Sequence, residues 1–125
     1  MVILTHTLFI RGEAGDTPVE IRLHQPEHIV EDIGDSWGCR FEIDWPDRTK
    51  SMVIHGVDAL QALILSMMGV GVHLYVSEYH EDGVLYAPHR EGGYGFPVAK
   101  NIRDVLVGSD KATFWPDAPI SPRPA

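Results

Sequence analysis

The sequence has a single cysteine, Cys39, among its 125 residues. One thiol forms no intrachain disulfide and no Cys-x-x-Cys pair, which excludes a disulfide-stapled scaffold and a thiolate metal knuckle. Basic residues are scarce: 10 Lys and Arg stand against 18 Asp and Glu, a formal net charge of -8. A chain of that sign repels phosphate backbones, so nucleic acid is an unsuitable partner. The same charge suits solubility or a basic protein partner. No apolar run is long enough for a bilayer. The most apolar stretch, 62–76, is broken by Ser66 and His73 and weakened by Gly69 and Gly71. It falls short of the roughly 20 residues a span requires, so a buried helix is expected and no membrane partner. The opening Met1-Val2-Ile3-Leu4-Thr5-His6 has no basic region and no small-residue cleavage site, which points to the cytoplasm.

What is present is the patterning of an α+β domain. In 2–11, Val2, Leu4, Leu8 and Ile10 alternate with mostly polar residues, and in 17–24 Val19, Ile21 and Leu23 do the same. That period of two predicts strands, and the turn cluster Gly12-Glu13-Ala14-Gly15-Asp16 joins them as a hairpin. The segment 25–36 is acidic and irregular, suited to a short strand or a connection. Trp37, Cys39, Phe41, Ile43 and Trp45 share one face of the clearest strand, with Gly38, Arg40, Glu42 and Asp44 on the other. After the turn Pro46-Asp47-Arg48-Thr49, residues 50–55 complete a second hairpin. Asp58 is the expected N-cap of the apolar helix, with Gln61 set to bond back to the cap backbone and Val57 and Ala62 placed as a hydrophobic staple. One helical face reads Leu60, Ile64, Met67, Gly71 and Leu74, and Leu63, Leu65, Met68, Val70 and Val72 fill the others. A helix apolar nearly all round must be covered on more than one side. The sheet covers one, and the C-terminal segment or a second copy covers another, with close packing at Gly69 and Gly71.

Beyond the helix, 84–86 reads as a short strand, 88–97 as a glycine- and aromatic-rich loop, and 98–107 as a weaker second helix. Pro116, Pro119, Pro122 and Pro124 predict an extended, mobile tail. The expectation is an antiparallel sheet of four to six strands packed on one long apolar helix, in the order ββββαβ. Residues 1–108 form a single domain and 109–125 a Pro-rich tail.

Three motifs carry a resemblance: Trp37-x-Cys39-x-Phe41 on a strand, Gly56-x-Asp58-x-x-Gln61-Ala62-Leu63 opening the helix, and Gly95-Phe96-Pro97 after the last strand. Over about residues 1–97 the chain resembles a family of small uncharacterised bacterial proteins. The resemblance implies four or more antiparallel strands, one helix and a final strand, and it implies no activity.

Candidate chemistry is sparse. Seven histidines include His73, His80 and His89, which with Glu78, Glu81 or Asp82 would have to converge to hold zinc. His73, His80 and His89 stand at neither H-x-H nor H-x-x-x-H spacing to one another, and His28 with Glu31 is a weak pair, so surface histidines and no metal or cofactor are expected. Cys39 lies in the buried register of its strand and reads as an inert core thiol. Glu42 and Asp44 share a wet strand face, unsuited to acid catalysis. The one G-x-S-x-G match, Gly34-Asp35-Ser36-Trp37-Gly38, runs into a strand pattern and not from a strand into a helix, so it is no nucleophile elbow, and Ser109-Asp110-Lys111 has no supporting context. Gly92-Gly93-Tyr94-Gly95 matches neither a Walker loop nor a Rossmann fingerprint. Around it, Tyr86, His89, Arg90, Tyr94 and Phe96 concentrate the aromatic and arginine side chains typical of binding hot spots. Alternatively, Tyr94 and Phe96 pin the loop to the core. The leading expectation is a non-catalytic protein-binding module of immunity, antitoxin or accessory type, possible as a homodimer. The alternative is a small-molecule- or metal-binding enzyme using His73, His80 and His89.

Overall fold

The computed structural model describes residues 1–119. Its centre is β4 (Gly34–Trp45), the strand with the strictest alternation. β5 (Arg48–Gly56) pairs with it from Trp37↔Gly56 to Trp45↔Arg48. On the other edge, two strands share β4 in series. β2 (Thr17–His24) takes Phe41–Asp44, and β3 (Glu27–Glu31) takes Gly34–Gly38. β1 (Val2–Ile10) pairs with β2, and the short β6 (Leu85–Tyr86) pairs with β1. All six strands are antiparallel. The irregular stretch after Gln25 forms β3 because β4 starts at Gly34, earlier than its alternation announces.

One face of the sheet is core. Leu8, Val19, Ile21, Leu23, Cys39, Phe41 and Ile43 are all almost fully buried. The other face is a charge ladder, as the alternation of β2 and β4 requires. Arg22 bridges Glu20 and Asp44 at 2.9 and 2.6 Å and reaches Glu42 at 3.4 Å. His24 pairs with Glu42, and Thr49 donates to Asp44 at 2.9 Å. The hydrogen bonds from His24 to Glu42 and from Arg22 to Asp44 hold both carboxyls below their ordinary range. Glu42 and Asp44 therefore stay ionised, which suits an ion-pair ladder and not a proton donor.

α1 (Ala59–Tyr75) lies across the core face. Asp58 caps it by accepting from the Gln61 amide at 2.8 Å. The Gln61 side chain reaches back one residue further than expected, to the Val57 amide at 2.7 Å. Val57 itself is 78% exposed, so the expected staple with Ala62 does not form. The buried stripe also differs from the expected one. Ala62, Ser66, Val70, Gly71, Leu74 and Tyr75 are buried, whereas Leu60 is 65% exposed. The sheet selects the stripe with small residues. Ser66 donates to the Cys39 carbonyl at 3.3 Å, and Gly69 faces the Phe41 ring. Side chains larger than alanine or serine in those places would hold the helix off the sheet.

After α1, the four-residue α2 (Glu78–Glu81) stacks Tyr79 on Trp45. The chain then passes through β6 and a loop, and Pro97–Val98 crosses the far side of α1 at Gly71. The weaker helix expected over 98–107 is instead a six-residue 3-10 stretch, Lys100–Val105, broken at Ile102 by non-helical backbone. α3 (Gly108–Phe114) follows and spans the expected boundary at 108/109, with Asp110 buried. Residues 120–125 of the expected tail lie outside the described residues. Among the described residues no helix is long and apolar enough to cross a membrane.

A Cβ on Gly71 would sit 2.0 Å from the Pro97 carbonyl oxygen. Gly71→Ala is expected to destabilise by about 1–3 kcal/mol in urea unfolding, as overpacking does, despite the ~1 kcal/mol helix gain of alanine. Gly69→Ala meets only the Phe41 ring edge at 3.0 Å and should be close to neutral. A stabilised Gly71→Ala variant would contradict the close crossing. For the charge ladder, lowered carboxyl pKa values mean stability present above the ordinary values near ~4 and lost as pH falls through the folded ones. The stability gap between wild type and Arg22→Gln should be widest above roughly pH 5 and shrink below about pH 3. Urea titrations across that range measure it, and a gap independent of pH would refute the ladder's contribution.

Candidate functional site

The loop between β6 and the 3-10 stretch is held by one buried carboxylate. Asp110 is 1% exposed. Its Oδ2 accepts from the Tyr75 hydroxyl at 2.6 Å and the Tyr94 amide at 2.7 Å, and its Oδ1 accepts from the Gly95 amide at 2.7 Å. Tyr75 in turn accepts from the Val107 amide at 3.3 Å. Ser109 ties the start of α3 to the same loop, donating from its hydroxyl to the Gly92 carbonyl at 2.6 Å. The loop sequence suits this clamp. Gly93 has φ 76, and a Cβ there would lie 2.5 Å from the Asp110 carboxyl carbon. Only glycine admits both the backbone and the contact. Burial, reinforced by Asp110, keeps the Tyr75 phenol protonated far beyond its ordinary range and pushes Tyr94 up to about 12.

The clamped loop builds the two clefts on its flanks. On one side it walls an open cleft of about 360 Å³. Leu4 and His6 of β1, Met67 of α1, Phe96 and Pro97 of the loop, and Phe114 of α3 line it. The His6 Nε2 donates to the Tyr94 carbonyl at 3.1 Å, and its ring meets Phe96 edge-on at 5.5 Å. Arg90 stands at the same cleft. On the other side Arg11, His80, Tyr86 and Arg90 border a cleft of about 280 Å³. There the Arg11 guanidinium lies 4.5 Å from the Tyr86 ring centre, the Tyr86 hydroxyl bonds Asp16, and His80 bonds the Tyr94 hydroxyl.

The structure sorts the loop residues singled out in the sequence. Tyr94 is 4% and Phe96 6% exposed, so both rings serve the core. Tyr86 is half-buried, while His89 and Arg90 are exposed, His89 with a left-handed φ of 66. Arg90 is common to both clefts. The three histidines proposed as a group do not form one. His73 packs edge-on against Phe41 and bonds its own helix at the Gly69 carbonyl, 2.8 Å away. His80 sits between Tyr75 and Tyr94, and His89 is out on the loop. α1 turns His73 toward the sheet, and α2 folds His80 against the clamp, so no ligand set arises. Among the described residues no group of three or more His, Cys, Asp or Glu side chains is arranged to hold a metal ion. Cys39 is fully buried, its thiol donates to the His24 carbonyl at 3.2 Å, and burial raises its pKa.

Asp110 escapes a reading of the sequence because nothing in Ser109-Asp110-Lys111 announces burial. The signal lies in its counterpart: a glycine run whose amides need an acceptor from elsewhere in the chain. A second feature of the surface follows from where the loop runs. It covers α1 only from Met67 onward, leaving Leu60, Ile64 and Leu65 at 65%, 37% and 37% exposed.

The family described as Domain of unknown function (DUF6968) matches residues 4–98, and the chain belongs to it. The match ends at the Pro97–Val98 crossing of α1, and Asp110 lies beyond it. Comparison with curated proteins returns no match. Comparison with solved structures also returns none.

Replacing Asp110 by Asn removes the charge and one acceptor while the Tyr94 and Gly95 amides still need partners. Asp110→Asn is expected to cost about 1.5–3 kcal/mol, the scale of a charge-assisted hydrogen bond. Amide hydrogen exchange at Tyr94 and Gly95 should accelerate. Unchanged protection there would show that the clamp does not hold the loop.

Proposed function

We propose that the domain is a protein-binding module, of immunity, antitoxin or accessory type, that docks an apolar segment of another protein on the uncovered half of α1. The observation that supports this reading is the cluster of exposed apolar side chains at the start of a helix whose second half is crossed by the loop at Gly71. Val57 is 78% exposed, Leu60 65%, and Ile64 37%. Leu60 and Ile64 are one helical turn apart and so neighbours on the surface. A few such side chains, entering pockets on a partner, carry most of the energy of a protein interface. Scattered exposed apolar residues are ordinary, but a contiguous row marks an interaction site.

The formal charge of -8 specifies the partner further. Complementarity favours a segment whose apolar anchors are flanked by Lys and Arg, and gives association that weakens with salt. A second copy of the chain would bring a like charge to the same contact, which makes it the less suitable occupant.

A photocrosslinking residue at position 64, compared with one at Ser51 on the charged sheet face, tests the reading in the native cell extract. The expected result is one defined protein adduct at position 64 only, abolished by Leu60→Asp and weakened by raised salt. Crosslinks to a second copy, with sedimentation as a dimer, would replace the partner by self-association. Equal, non-selective crosslinking from both positions would remove the docking surface altogether.

A further inference from the structure

Beyond protein docking, we propose that the cleft between β1, α1 and the clamped loop binds a small organic acid: an apolar acyl or aryl body in the cleft, its carboxylate on Arg90. The cleft's volume of about 360 Å³ falls in the range of small-molecule pockets, typically ~300–1,000 Å³. Its walls are the apolar surfaces of Leu4, Met67, Phe96, Pro97 and Phe114. Phe114 remains 39% and Leu4 49% exposed, apolar surface that a bound acyl or aryl group would cover. Among the described residues Arg90 and His6 are the ionisable ones lining the cleft, and neither is acidic. This is unusual placement in a chain with 18 acidic residues.

The Arg90 guanidinium also lies against the loop backbone. The ideal Cβ position at Gly95 lies 2.9 Å from the Arg90 guanidinium carbon, so the guanidinium rests directly on the loop backbone. A side chain at Gly95 would lift it away. The Gly95 amide is itself anchored to Asp110 at 2.7 Å. The clamp thus sets the floor on which the guanidinium lies. Among the described residues Arg90 makes no ion pair, whereas Arg22 and Arg48 do. A guanidinium whose fork makes no ion pair suits a carboxylate in bidentate geometry. His6 plays a different part. Its Nε2 is committed to the Tyr94 carbonyl at 3.1 Å, so the ring is a fixed wall of the cleft.

The proposal commits to a free small acid, and the head group is what the test isolates. Octanoate, octan-1-ol and octylammonium share an apolar body and differ in charge, and calorimetric titration compares them. Octanoate is expected to bind tightest. Arg90→Gln should weaken octanoate about tenfold and leave octan-1-ol unchanged. Phe114→Ala should weaken both, and Lys50→Gln neither. Arg90 and Phe114 are exposed, so these variants test binding without threatening the core. Leu60→Asp, which removes the protein-docking surface, should leave octanoate binding intact, so either proposal can fail alone. Three results would overturn the proposal: octanoate binding no tighter than octan-1-ol, equal octanoate affinity in Arg90→Gln, or amide shift changes on titration that avoid Leu4, Met67 and Phe96. An N-acetylated peptide ending in Leu that competes for Arg90 and binds more tightly than octanoate would also overturn it, by assigning the cleft to a protein C-terminus.

Discussion

The Asp110 carboxylate is the constraint on which the second half of this structure depends. A buried carboxylate is costly unless its oxygens are filled, and here a phenol and two backbone amides fill them. Each such charge-assisted bond contributes about 1.5–3 kcal/mol, and they tie two amides of an irregular loop, Tyr94 and Gly95, to the last residue of α1, Tyr75. Removing the carboxylate would leave the loop amides of Tyr94 and Gly95 and the buried Tyr75 hydroxyl without an acceptor. The glycines of the loop follow from this arrangement, because any side chain at Gly93 would collide with the carboxylate. So does the covering of α1, since the same clamp brings Pro97–Val98 across Gly71.

The clamp has a boundary, and the surface chemistry gathers there. From Met67 onward α1 is sandwiched between sheet and loop. Before it, the helix has a sheet on one side and solvent on the other. The N-terminal half of the helix therefore exposes Leu60, Ile64 and Leu65, while the edge of the cover forms the cleft that Arg90 shares. Both proposed activities use the margin of the same cover: one the helix left bare, the other the gap between cover and sheet. The charged outer face of the sheet has a different character. Its carboxylates are paired with Arg22 and His24, which stabilises an open antiparallel face without leaving a group poised for chemistry.

Legibility in the sequence tracked periodicity. The β1–β2 hairpin and strand β4 with its partner β5 were readable because their apolar residues alternate, most strictly Cys39, Phe41, Ile43 and Trp45, and α1 was readable because Asp58 and Gln61 announce its start. The helix face was not. With apolar residues all round, Leu60 and Val70 are equivalent by composition, and only the sheet's requirement for small contacts at Ala62, Ser66 and Gly69 distinguishes them. The aromatic loop was visible as a concentration of residue types, but its division into buried Tyr94 and Phe96 and exposed His89 and Arg90 was not.

By itself the sequence determined the class of fold, the central strands, the helix and its cap, the buried thiol of Cys39 and the charged face of the sheet. Each follows from local pattern, which repeats every two residues in a strand and every 3.6 in a helix. Only the tertiary structure decided that Asp110 is the clamp, that His73, His80 and His89 part company, and that the loop crosses only the second half of the helix. The clamp joins residues 15 to 35 positions apart, and no local pattern encodes a partner at that distance.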